Sequence, residues 1–126
     1  MTSTKPHKVI YDTDPGVDDA MALYFALAHP AIDVVGITTT FGNVSVEQAA
    51  TNALYLTAIA GRPGIPVTRG VKTPWVKHPE APPAFIHGAD GLGNLGSRVA
   101  THNQVDPRSS AQFIVDTARA HPGEIT

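Results

Sequence analysis

The chain carries at residues 12–20 the run Asp12-Thr13-Asp14-Pro15-Gly16-Val17-Asp18-Asp19-Ala20, which places four carboxylates within eight residues. A short apolar segment (9–11) precedes this run, and an amphipathic segment follows it from Met21. Pro15 fixes φ and Gly16 tolerates a positive φ, so the pair favours a tight turn. The run therefore predicts the end of a strand, a turn and the start of a helix, which Asp18 or Asp19 would cap.

The run contains more carboxylates than are needed to cap one helix. Four negative charges so close together repel one another unless a cation offsets them. They also follow a predicted strand directly, and the carboxyl ends of strands are where open α/β sheets bind their ligands. A hard divalent cation that prefers oxygen ligands is the natural partner. The alternative is a plain turn with a surplus of capping residues.

The rest of the pattern predicts an α/β fold, with an open and mostly parallel sheet flanked by helices. Apolar residues recur at helical spacing in two segments, and β-branched residues crowd between them. Ser45 and Gln48 are spaced as a capping box, with Ser as the N-cap and Gln as N3. The order is β-α-β-α-β, with strands at 8–12, 32–40 and 66–68 and helices at 18–28 and from 45 to about 60.

Residues 70–105 interrupt this alternation with a long segment rich in Pro and Gly, which we interpret as an active-site loop. A third helix is expected to open at Asp106-Pro107, with Pro at N1, and to end before His121. Its predicted core face is made of Ala111, Ile114, Val115 and Ala118. A fourth strand should begin at 124–126, so the fold reads as truncated after the third helix.

Composition narrows the possible classes of function. The chain has 126 residues, which allows one domain at most, and a net charge of −2 with no basic cluster, which argues against nucleic-acid binding. It has no cysteine, no apolar run of transmembrane length and no apolar leader segment near Met1. These features predict a cytoplasmic protein with no membrane partner.

Three segments together resemble the inosine-uridine-preferring nucleoside hydrolases. Residues 8–20 are similar to the acidic signature of that family, and residues 37–43, which end in Gly42-Asn43, are similar to its second strand. Residues 86–93, which begin Ile-His-Gly, are similar to its His-Gly loop. The acidic segment is highly specific, whereas the other two alone would be weak. The resemblance covers nearly the whole chain from Lys8.

This resemblance implies hydrolysis of the N-glycosidic bond of ribonucleosides to free base and ribose. It further implies a Ca²⁺ ion held by Asp14 and Asp19, with Asp14 as the general base for a calcium-bound water. Asp18 would bind the ribose hydroxyls, Asn43 would lie beside ribose and water, and His87 would lie on a loop near the substrate. Asp12 is expected to be structural or to support the metal ligands. Family members also tend to form homo-oligomers.

The chain departs from the family in length, since members are more than twice as long. We therefore interpret residues 1–126 as the N-terminal portion of a single hydrolase domain, without the further metal ligands and the acid that protonates the leaving base. Two alternatives stay open. One is a phosphatase of the haloacid dehalogenase type, which also begins with Asp-x-Asp at a strand end. The other is a truncated, non-catalytic fragment that only binds ribosides or metal.

Overall fold

Three parallel strands form the sheet, in the spatial order β1-β2-β3. The computed structural model describes residues 4–126, so the first three residues of the N-terminal segment considered above lie outside the described residues. The strands are β1 (His7–Thr13), β2 (Ile32–Thr39) and β3 (Val67–Arg69). The helices are α1 (Val17–Ala28), α2 (Val46–Ile59), α3 (Ala84–His87) and α4 (Ser110–Ala120). The predicted parallel α/β architecture is confirmed.

The register of the strands brings the carboxyl ends of β1 and β2 side by side. The pairing runs from His7 opposite Ile32 to Thr13 opposite Thr39, with one shift between Val9 and Ile10. The carboxyl-terminal half of β2 is fully buried, as expected for a central strand covered on both faces. The loops that follow β1 and β2 therefore meet at one edge of the sheet.

The hydrophobic core lies between this sheet and the helices α1 and α2. Leu23 and Ile37 are completely buried there, together with the alanine-rich face of α2 around Ala53. The alanine-rich face of α2 is buried, as its helical spacing predicts, whereas on α1 Tyr24 is 39% exposed and Ala26 is buried in the core. Small alanines allow α2 to approach the sheet closely, which brings the start of the helix near the acidic run.

The capping of α1 and α2 differs from the expectations based on the sequence. The α1 helix begins at Val17 with Gly16 as N-cap, and Asp19 accepts the Gly16 N–H at 3.0 Å from position N3. At α2, Ser45 Oγ accepts from Gln48 N as predicted, but Gln48 Nε2 donates to Asn52 Oδ1 at 2.9 Å. The capping box at α2 is therefore half formed, because a buried acceptor in the helix competes for the glutamine.

The prediction that the third long helix opens at Asp106-Pro107 is wrong. Helix α4 begins at Ser110, with Ser109 as the capping residue. Asp106 N donates instead to Val67 O at 2.8 Å, and Ser109 forms a bridge with Arg69, so this segment runs extended beside β3. The Asp106 carboxylate binds the Arg108 side chain and backbone rather than capping a helix.

The predicted core face of α4 is also wrong. Ser110 and Phe113 are its buried residues, whereas Ile114 and Val115 are 44% and 41% exposed. Phe113 reaches the sheet because Gly36 leaves room for its ring against β2. Because the Phe113 ring packs on the sheet, the predicted core face of α4 is turned away from the core.

The last residues of the chain lie along the free edge of β1. Thr126 N donates to Lys8 O, and Ile10 N donates to Thr126 O, both at 2.9 Å. Ile125 pairs with Lys8 in a parallel bridge, which is the position expected for the beginning of a further strand. In residues 4–126, no helix combines the length and apolar character that crossing a membrane requires.

Candidate active site

The acidic turn, residues 12–19, lies where β1 ends and faces the loop that follows β2. The Asp14 carboxylate accepts a hydrogen bond from Asn43 N at 2.7 Å, and Asn43 Nδ2 donates to Asp19 Oδ2, also at 2.7 Å. One asparagine therefore holds two carboxylates of the turn at the same place. The structure thus brings together Asp14, Asp19 and Asn43, three of the residues singled out from the sequence.

Two glycines make this close arrangement possible. A Cβ atom on Gly42 would overlap the Asp14 carboxylate. A Cβ atom on Gly16 would lie 2.6 Å from His87 Nδ1 and 2.8 Å from Asn43 Nδ2. Both distances are too short for real atoms, so a side chain at either position would displace the polar groups of the site.

The surroundings of Asp14 disfavour the ionised form of its carboxyl group. Burial raises the pKa of the Asp14 carboxyl above its usual range, and the negative charge of Asp19 raises it further. The hydrogen bond from Asn43 N acts in the opposite direction and lowers it. The net direction shows that the ionised form of Asp14 is not fully compensated by the groups of this chain.

Asp12 and Asp18 occupy the two flanks of the turn. Asp12 Oδ1 accepts from Thr38 Oγ1 at 2.6 Å, which ties the end of β1 to β2. The Asp18 side chain is 84% exposed and lies 3.9 Å from His87 Nδ1. Asp12 is thus engaged by the sheet, whereas Asp18 is free to contact a ligand from outside.

His87 reaches the turn from far along the chain, on the segment 84–98 that we call the His87 loop. Its Nδ1 accepts a hydrogen bond from Val17 N, the first free N–H of α1, at 3.2 Å. Because Nδ1 acts as the acceptor there, the neutral ring carries its proton on Nε2. The His87 side chain is 12% exposed, so the loop packs it against the turn.

Three polar residues that sequence reasoning missed hold the His87 loop in place. They are Asn52 on α2 and Asp90 and Arg98 on the loop itself. Asp90 accepts from the backbone N–H groups of Leu92, Asn94 and Leu95, and these bonds lower the pKa of its carboxyl to about 2 despite partial burial. A signal for Asn52 existed in the sequence, since it interrupts an otherwise apolar helix face.

The fit of a metal ion to these residues is partial. The donors are carboxylate and amide oxygens with no cysteine, which suits a hard cation such as calcium. Within residues 4–126, however, no group of three or more His, Asp or Glu side chains converges in a way that could hold a metal. Calcium takes about six to eight oxygens, so Asp14 and Asp19 would form part of its shell.

The sequence of this chain matches a known protein family. The sequence model of the family described as "Inosine-uridine preferring nucleoside hydrolase" matches residues 9–126. The chain is 45% identical over 120 residues to a protein named probable uridine nucleosidase 2 from Arabidopsis thaliana, covering 94% of the chain and 37% of that relative. It is 38% identical over 122 residues to an inosine-uridine preferring nucleoside hydrolase from Leishmania major, covering 96% of the chain and 38% of that relative.

Solved structures show the same relationship at the level of the fold. The chain superposes on a purine-preferring ribonucleoside hydrolase from Gardnerella vaginalis with a TM-score of 0.87 and 36% identity, covering 94% of the chain and 38% of that structure. The chain thus spans well under half the length of the relatives it matches, and the family is compatible with a metal cofactor. Since the family model covers almost all of the sequence, this chain belongs to the inosine-uridine preferring nucleoside hydrolase family.

Proposed function

We propose that this chain supplies the ribose-binding and cation-binding part of an enzyme that hydrolyses the N-glycosidic bond of ribonucleosides to free base and ribose. The observation that carries the proposal is the convergence of Asp14 and Asp19 on Asn43 at the carboxyl end of β1. A pair of carboxylates fixed by one amide at this edge of the sheet suits a polyhydroxylated ligand and a cation.

The cation in this proposal is calcium, held by Asp14 and Asp19. The raised pKa of Asp14 supports this assignment, because a positive charge beside the two carboxylates would offset their repulsion. When bound, calcium supplies positive charge that orients the ribose hydroxyls and acidifies water. The remaining ligands of its shell would lie outside this pair.

Asp14 is proposed as the general base that accepts the proton of the attacking water. A carboxylate can accept this proton when it lies within hydrogen-bond reach of the water. As the glycosidic bond breaks, positive charge develops on the ribose ring, and the carboxylates of the turn stabilise it. Asp12 would support the turn through its hydrogen bond to Thr38.

Asp18 and Asn43 are proposed to contact the substrate directly, with His87 beside them. The exposure of Asp18 leaves its oxygens available for ribose hydroxyls. The Nε2–H of His87 remains available as a donor, because its Nδ1 is engaged by Val17 N. No residue of the chain is assigned the protonation of the leaving base. A homo-oligomeric state and a cytoplasmic location stay predictions.

The alternative of a haloacid dehalogenase-type phosphatase is not favoured, since the family model and the matched relatives named above are nucleoside hydrolases or nucleosidases. A non-catalytic fragment that binds ribosides is distinguished by experiment. It would bind inosine or uridine without releasing ribose.

The test combines ligand binding with an assay of ribose release, using inosine, uridine and free ribose with calcium present. We expect the ligands to change the NMR shifts of Asp18, Asn43 and His87. The variants Asp18→Asn and Asn43→Ala should each lower the affinity for the ligand at least tenfold. Asp33→Asn is the matched control, because Asp33 is a carboxylate at the opposite end of β2 that pairs with Lys8.

Two results would overturn the proposal. The first is ligand-induced shifts located away from the acidic turn in a folded sample. The second is a phospho-aspartate formed from a phosphate donor, which would indicate the phosphatase chemistry. Binding without ribose release would favour the alternative of a fragment that binds ribosides without hydrolysing them.

A further inference from the structure

Asn52 is the one side chain on α2 that reaches both halves of the candidate site. It is completely buried, and most of the other buried residues of α2 are apolar. Its Nδ2 donates to Pro15 O in the acidic turn at 3.1 Å and to Asp90 O in the His87 loop at 2.8 Å. A single amide group thus joins two segments that are more than 70 residues apart in the sequence.

The other end of the same side chain is equally engaged. Asn52 Oδ1 accepts from Arg98 Nη1 at 2.8 Å and from Gln48 Nε2 at 2.9 Å. An asparagine has two N–H donors and one oxygen with two lone pairs, so these four hydrogen bonds use its whole capacity. A fully satisfied buried amide of this kind is costly to disturb and fixes one arrangement of its partners.

The packing around Asn52 leaves no room for a side chain at Gly91 of the loop. A Cβ atom on Gly91 would lie 2.6 Å from Val44 Cγ1 and 2.9 Å from Asn52 Nδ2. Gly91 is buried and has a φ of 80°, which glycine adopts without strain. The loop backbone therefore approaches α2 directly beside the Asn52 amide.

Arg98 links the His87 loop to α2. Its Nη2 lies 3.3 Å from Asp90 Oδ2, and its guanidinium stacks 5.1 Å from the centre of the Tyr55 ring on α2. The bond from Arg98 to Asn52 and its pairing with Asp90 hold the same stretch of loop whose beginning carries His87. Displacement of this stretch would move His87 away from Val17 N.

We propose that Asn52 is a positioning residue for the site, which sets the distance between the acidic turn and His87 through its hydrogen bonds to Pro15 O and Asp90 O. It touches neither the carboxylates nor the proposed substrate, and it acts through the backbone of both segments. This inference rests on the proposed function only because that function makes His87 and Asp18 neighbours of the substrate.

The test uses Asn52→Asp, which keeps the shape and the acceptor for Arg98 but removes both N–H donors. The readouts are hydrogen exchange of the Val17 amide and the ¹⁵N shift of His87 Nδ1, neither of which requires turnover. We expect at least a tenfold loss of Val17 protection and a His87 Nδ1 shift that no longer reports an accepted hydrogen bond. Core amides of β2 and α2 should keep their protection.

Asn103→Asp is the matched control. Asn103 also donates to α2, at Leu54 O, but has no contact with the turn, so its variant should leave both readouts unchanged. If Asn52→Asp does not fold, Asn52→Ala removes the same two N–H donors without adding a charge, and the same two readouts decide.

Two results would overturn the inference. In the first, the Val17 and His87 signals stay unchanged in a folded Asn52→Asp or Asn52→Ala variant. In the second, protection is lost equally over the whole core, which would limit Asn52 to a role in stability. Both results are independent of nucleoside hydrolysis, so failure of this inference and failure of the proposed function are distinguishable.

Discussion

The acidic turn and the His87 loop meet at the same edge of the sheet, but different kinds of interaction hold them there. The turn is fixed by its own sequence, by the strand before it and by a neighbouring loop, through bonds such as Asn43 N to Asp14. The loop is fixed by side chains that bind backbone groups, above all Asp90 and Asn52. A local sequence pattern can thus predict the acidic turn, whereas the position of the His87 loop beside it depends on single long-range contacts.

The largest effect is expected from Gly42→Ala, which breaks the turn side of the comparison. The new methyl group would overlap the Asp14 carboxylate, so either Asp14 or the backbone of the β2 loop must move. We expect the free energy of unfolding to fall by about 1–3 kcal/mol, as for other overpacked sites. Chemical denaturation measures this change.

Gly64→Ala is the control for that substitution, because no atom lies within 4 Å of a Cβ atom at Gly64. It should leave the stability nearly unchanged. Equal denaturation midpoints for the two variants would contradict the close approach of Gly42 and Asp14.

A somewhat smaller effect is expected from Asp90→Asn, which breaks the loop side. Its carboxylate accepts three backbone N–H groups, and hydrogen bonds to a charged group are worth more than neutral ones. We expect a loss of about 1–2 kcal/mol, concentrated in the loop. Hydrogen exchange should show faster exchange at Leu92, Asn94 and Leu95, with β2 unaffected.

The pH dependence of this effect has a definite sign. The pKa of Asp90 is lowered to about 2, so its stabilising contribution is complete above the ordinary carboxyl pKa and is lost as the pH falls from about 4 to about 2. The difference in the free energy of unfolding between the parent chain and Asp90→Asn should therefore disappear over that pH range. A difference that stays constant down to pH 2 would show that the charge of Asp90 is not what holds the loop.

The smallest effect on the free energy of unfolding is expected from Asp14→Asn in the absence of divalent cations. Unlike the two substitutions above, this one should stabilise the fold. The pKa of Asp14 is raised, so its protonated form favours the folded state, and that stabilisation is lost as the pH rises through its folded pKa. Asparagine removes the charge, so the variant should be more stable than the parent at pH 7 by about 1 kcal/mol or less. Thermal unfolding at pH 7 in a chelating buffer measures the difference.

The contrasting outcome for Asp14→Asn is a variant that melts below the parent at pH 7. That result would mean that the hydrogen bond from Asn43 N outweighs burial and the charge of Asp19. At pH values below the ordinary carboxyl pKa, the two proteins should melt alike, because both then carry a neutral side chain at position 14.

Much of the fold follows from the sequence because its signals are local. The β-branched crowding in β2 and the Pro15-Gly16 turn each report on neighbouring residues, and the parallel order was predictable from them. The start of α4 was not, because Asp106 N pairs with Val67 O, a contact across 39 residues that periodicity does not contain. The face of α4 was missed for the same reason, since the room left at Gly36 turns Phe113 inward.

The candidate site divides in the same way. The carboxylates and Asn43 stand out as motifs at two strand ends, and the structure brings these groups together. Asn52 gives only a weak signal, as a polar residue on a largely apolar helix, and Arg98 looks like an ordinary loop residue until the segments are folded together. Their role depends on which groups they reach, and that is a property of the tertiary structure.

Calcium titration into the chain by isothermal calorimetry, with and without inosine, tests the central claim most directly. The account predicts uptake of the ion that Asp14→Ala abolishes and Asp33→Ala preserves, with tighter binding when inosine is present. A folded chain that takes up no calcium, or one whose uptake is unchanged by Asp14→Ala, would contradict the assignment of the acidic turn as the cation-binding part of the site.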